Sequence, residues 1–120
     1  MDIINEFLSI QQYIRIYHWT TPVYNQHIVS GQLYEKLDAL IDKFVETFLG
    51  KNKLTFEPFT ITVSSNTDIV SSLIRFKQFL ITDLELAMNS KSIMKNTDLK
   101  NIRDEMLGDV NQSIYLLKLK

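Results

Sequence analysis

The sequence predicts an all-α protein, a four-helix bundle with one long connection. Three observations predict it. Only three Gly and two Pro occur in 120 residues, too few for a turn-rich β fold. Apolar residues recur at three- and four-residue spacing over four long stretches. The first connection between those stretches is very short and the second is long, which sets the order of packing. A chain of this length, 45% hydrophobic, forms one domain over residues 1–120 with a core of its own.

The first helix covers residues 2–18. Asp2 is suited to cap it, and Ile3, Phe7, Ile10, Ile14 and Tyr17 form one apolar face. Thr20, Thr21 and Pro22 make a short turn, because the residue before a proline is pushed out of helical dihedrals. The second helix runs from about Pro22 to Leu49, with Thr21 as N-cap, Pro22 in the first helical position and Gly50 as a left-handed C′ residue. Leu33, Leu37, Leu40, Ile41, Phe44 and Phe48 cluster on one side of it. His27, Gly31, Asp38, Asp42 and Glu46 fall in a separate stripe, turned away from the core.

Residues 51–65 break the helical pattern around Pro58. Their Thr/Phe/Ile/Val alternation reads as an extended crossover with a strand-like piece. The third helix is expected from Thr67 to Asn89, capped by Asn66 or Thr67. Its apolar face is broad, built on Ile69, Leu73, Phe76, Leu80, Leu84 and Met88 and widened by Ile74, Phe79 and Ile81, which implies a second buried contact. Residues 90–97 form a linker. The fourth helix follows from Asp98 to Leu117 with Thr97 as N-cap, and Gly108 inside it marks close packing or a bend. Four helices with a crossover between the second and third give the ferritin-like arrangement.

Composition narrows the function. The net charge of −1 and scattered lysines give no field for nucleic acid. The absence of Cys removes disulfides, thiolate metal sites and thiol nucleophiles, and fits an intracellular protein. No basic n-region opens the chain and no apolar run is long enough for a membrane span. No phosphate-binding Gly loop or Ser/His/Asp spacing occurs.

The remaining candidates for chemistry lie in residues 18–50. His18-Trp19, then His27, then Asp42 with Glu46, then Gly50 resembles the signature of the Dps group of small ferritin-like proteins. The chain is also similar to short ferritin-like proteins of bacteriophages and large viruses, a likeness that reaches Ile114-Tyr115-Leu116-Leu117. The resemblance implies an iron-oxidising site shared by two subunits. His18 and His27 would come from one and Asp42 and Glu46 from the other, a mixed imidazole and carboxylate set suited to Fe(II). Three residue-level features depart from it. Gly31 stands where that family places an acidic ligand, the two histidines are more closely spaced, and no basic N-terminal tail is present. The intra-bundle Glu-x-x-His pattern is also missing.

The residues themselves admit plainer roles. His18 suits a helix C-terminus, where it complements the dipole. Gly31 after Ser30 suits close approach of another helix across a dimer contact. The expected function is therefore a non-enzymatic helical assembly protein, viral in kind, that forms a homo-oligomer through the second helix and the crossover. The alternative is a Dps-like iron-binding protein.

Overall fold

The structure, a computed structural model, describes residues 2–53, 55–90 and 95–119, with the side chains of all of these except Asp2 and Ser90. All regular structure among them is helical: α1 (Asp2–Thr20), α2 (Tyr24–Lys51), α3 (Ile69–Ile81), α4 (Asp83–Ser90) and α5 (Thr97–Leu117). The expected cap by Asp2 and the linker residues 91–94 lie outside the described set.

The apolar faces pack as their spacing requires. Phe7 of α1 sits at the centre, with ring centroids 5.4 Å from Phe44, 6.4 Å from Phe76 and 5.6 Å from Phe79. It thereby joins α1, α2 and α3, in the offset and edge-on geometries that aromatic quadrupoles favour. The core extends through Ile14, Leu33, Leu37, Leu73, Leu80, Leu84, Met106 and Val110, all essentially inaccessible. α1 packs on α2, α2 on α5, α5 on α3, and α3 with α4 back onto α1, closing a ring of helices around this core.

Several boundaries differ from the sequence reading. α2 starts at Tyr24 with Val23 as an N-cap that makes no side-chain bond. The hydroxyl of Thr21 instead accepts from the Val23 amide (3.3 Å) and donates to Oε1 of Gln26 (2.9 Å), which also takes the Tyr17 hydroxyl (2.7 Å). α2 runs past Gly50, which is helical, to Lys51, with Asn52 as its C-cap. The expected third helix is interrupted at Thr82, whose hydroxyl donates to the Gln78 carbonyl at 2.6 Å, a back-bond that bends helices. Its N-cap is Asp68, which accepts from the amides of Val70 and Ser71. Gly108 meets no close neighbour. No strand forms among the described residues 51–65.

Polar clasps fix the two ends. At one, Nδ2 of Asn25 donates to the carbonyls of Leu116 (3.1 Å) and Leu119 (3.2 Å), tying the start of α2 to the end of α5. At the other, Lys51 pairs with Asp98 at 2.5 Å. There the buried Asn96 donates to the Met88 carbonyl at 2.5 Å and accepts from Lys51 at 3.4 Å. The segment after α2 thus begins at the Lys51 end. It arrives beside α1, where Tyr13 donates its hydroxyl to the Asn66 carbonyl at 2.9 Å. Burial holds the Tyr13 phenol above its ordinary range.

Candidate functional site

His18 and His27 meet across the α1–α2 turn. Each ring donates from Nδ1 to the other residue's backbone carbonyl, at 2.7 Å in both directions. A carbonyl only accepts, so both Nδ1 atoms carry a proton. The rings stack with centroids 4.0 Å apart and planes 13° from parallel. The local cause lies in the sequence. The carbonyl of His18 would normally receive the amide four residues on, but that residue is Pro22, which has no N–H. His27 supplies the missing donor.

Gly31 makes room for this pair. A Cβ built on Gly31 would lie 2.7 Å from Cε1 and 3.0 Å from Nδ1 of His18. The glycine therefore admits an imidazole of its own chain. Beside it opens a cavity of about 280 Å³ lined by Arg15, His18, Trp19, Gly31, Tyr34 and Glu35.

Asp42 and Glu46 stand apart from the histidines. Both are exposed on α2. Asp42 is 15 residues beyond His27, roughly 22 Å along the helix at 1.5 Å per residue. Asp42 borders a groove of about 540 Å³ between α1 and α2, with Ile4, Leu8, Ala39 and Val45. Within one chain, then, the structure unites His18 with His27 and holds the two carboxylates away. Among the described residues no three of His, Cys, Asp and Glu gather as a metal group. Nor do the stacked rings suit one shared ion. A metal lies in the plane of each imidazole it binds, about 2 Å from the nitrogen, and two rings stacked with centroids 4.0 Å apart and planes 13° from parallel do not share such a point.

Tyr34 and Asp38, two side chains that could stand in for the acid absent at Gly31, are engaged elsewhere, whereas Glu35 lines the cavity beside Gly31 without a partner among the described residues. Arg15 donates to the Tyr34 hydroxyl, lies 4.6 Å from the Tyr34 ring centroid, and stands 3.8 Å from Asp38. Gln11 donates to Asp38 at 2.9 Å. The buried Asn96 clasp, which reaches Lys51 from 45 residues away, and the Gln26 bracket across the first turn have no signature in apolar spacing. The role of His27 carried a readable signal, Pro22 four residues after His18.

The fold and site define an all-helical bundle whose first turn is locked by a histidine pair. Residues 18–117 match the model of a family of unknown function, DUF5856, and the chain belongs to that family. Neither the curated proteins nor the solved structures gave a match. Among the described residues no helix is long and apolar enough to cross a membrane.

Proposed function

We propose that the chain is a non-enzymatic assembly protein that works inside the cell, with a ferritin-like scaffold and a crossover between α2 and α3. The closed ring of helices supports the scaffold, as do the positions of Lys51 at one end of the bundle and of Asn66 beside Tyr13. The observation that carries the assembly role is the set of large apolar side chains left in solvent. Trp19 (68% exposed) and Tyr24 (77%) flank the first turn, Phe56 and Phe59 lie on the crossover, and Leu86 (68%) is on α4. Interfaces draw on such residues.

Small-angle scattering tests this reading. A homo-oligomer at about tens of micromolar has a radius of gyration well above the 14.7 Å of one chain. A value near the single-chain figure at that concentration would overturn it.

The iron-binding alternative has less support, because the two histidine rings stack nearly parallel and do not converge on one point. Anaerobic Fe(II) loading followed by desalting is its test. Retained iron that disappears in a Glu46→Ala variant would favour the alternative.

A further inference from the structure

The exposed face of α2 carries its own complement. Counting outward from Ala39, the exposed positions are symmetric: Lys36 and Asp42 at three residues, Glu35 and Lys43 at four, Gln32 and Glu46 at seven, Ile28 and Gly50 at eleven. Residues equally far from the centre on either side face each other when two copies of a helix pack antiparallel about a two-fold axis. In that arrangement Lys36 of each copy meets Asp42 of the other, and Glu35 meets Lys43. Glu46 comes opposite the amide of Gln32. The small Ala39 at the axis lets the two helices approach closely.

Inside one chain these charges are idle. None of Glu35, Lys36, Asp42, Lys43 and Glu46 makes an ion pair or a side-chain hydrogen bond among the described residues. Asp38, Glu85 and Asp98 all have cationic partners. Asp42 and Glu46, one turn apart, even repel on an isolated helix. A parallel pairing or an antiparallel pairing shifted by one residue brings like charges together. Antiparallel pairing centred on Ala39 neutralises all four of the inner charges. The groove between α1 and α2 lies alongside, and its Ile4, Leu8 and Val45 offer apolar cover for the aliphatic stem of Lys36 from the second copy.

We infer that a second copy of this chain docks on α2, antiparallel and two-fold symmetric about Ala39, with register set by the Lys36–Asp42 and Glu35–Lys43 pairs. The inference rests on the assembly reading and adds the face, the direction and the register.

Charge reversal tests it by native mass spectrometry. Lys36→Glu alone and Asp42→Lys alone each place like charges opposite one another, and each weakens the dimer by at least about tenfold. Mixing the two variants restores opposite charges at both contacts and yields the heterodimer in preference to either homodimer. The double variant Lys36→Glu/Asp42→Lys, with the pair exchanged within one chain, dimerises like the parent. Both sites are solvent-exposed, and circular dichroism checks that the variants keep their helices. A parent chain that dimerises while the reversals and the mixture leave dimerisation unchanged would overturn the register and leave the assembly reading standing. A parent that stays monomeric would overturn both.

Discussion

His18 and His27 hold each other by a reciprocal pair of bonds, Nδ1 of each to the carbonyl of the other at 2.7 Å, with their rings stacked at 4.0 Å. The contact closes the hairpin of α1 and α2 at the point where Pro22 deprives α1 of its last regular hydrogen bond. It spends both Nδ1 protons on structure. A His27→Ala variant leaves the His18 carbonyl without its donor and removes one half of the stack. The expected loss is about 1–3 kcal/mol of unfolding free energy, read from urea denaturation. A loss below a few tenths would mean that water replaces the imidazole at no cost.

Gly31 and Gly108 are both helical glycines with opposite expectations. Nothing lies within 4 Å of a Cβ at Gly108, so Gly108→Ala should stabilise the chain by about 0.5–1 kcal/mol through helix propensity. Gly31→Ala drives a methyl into the pinned His18 ring and should destabilise by about 1–3 kcal/mol. The coupling is testable by a double-mutant cycle. In a His18→Ala background the ring is gone, and Gly31→Ala should change sign and stabilise. The same penalty in both backgrounds would show that Gly31 serves something other than His18.

Periodicity made the helices legible, because burial follows three- and four-residue spacing: Leu99, Ile102, Met106, Val110 and Leu117 are buried as expected. Boundaries were less legible where side chains compete for backbone groups. Thr21 bonds to Gln26 instead of serving as the helix cap, and Thr82 breaks a helix that its apolar pattern carries through. Of the candidate site, the nearness of His18 and His27 follows from the short turn. What they do there does not, since the reciprocal carbonyl bonds and the stacking depend on a geometry that the spacing does not carry. The reason for Gly31 emerges only once the His18 ring is seen against it.

Asn96 is a buried side chain with three elements in its reach. It stands at the N-cap position of α5, where its backbone carbonyl accepts from the Lys100 amide, while its side chain donates to the Met88 carbonyl at the end of α4 and accepts from Lys51 at the end of α2. Asn96→Leu preserves bulk but strands the Met88 carbonyl. The expected cost is about 1–3 kcal/mol, and hydrogen exchange should show faster opening at the start of α5 and the end of α4 than at the histidine end. Uniform acceleration across all helices would contradict a local clasp.

Acid should loosen the same end of the molecule. The Arg103 guanidinium at 2.7 Å, helped by Lys100 at 3.4 Å, holds the Glu85 carboxyl below its ordinary value. The Lys51 ammonium does the same for Asp98. With folded values below unfolded ones, the unfolded chain binds more protons in the interval between them, so stability there rises with pH. The contribution is complete above the ordinary carboxylate range of about 4 and is lost as pH falls through the lowered folded values. Both pairs are solvent-accessible, and salt screens part of the effect. Glu85→Gln should flatten the decline in melting temperature below about pH 4. An unaltered acid profile in that variant would show that the Glu85 pairs contribute nothing to it.

The association state of the parent chain bears most directly on the assembly role. Multi-angle light scattering across a dilution series should give a mass approaching twice the 14.1 kDa of one chain, or a higher even multiple, falling toward that single-chain mass on dilution or in high salt. A constant mass of one chain up to about a hundred micromolar, a concentration at which specific interfaces are occupied, would contradict the account.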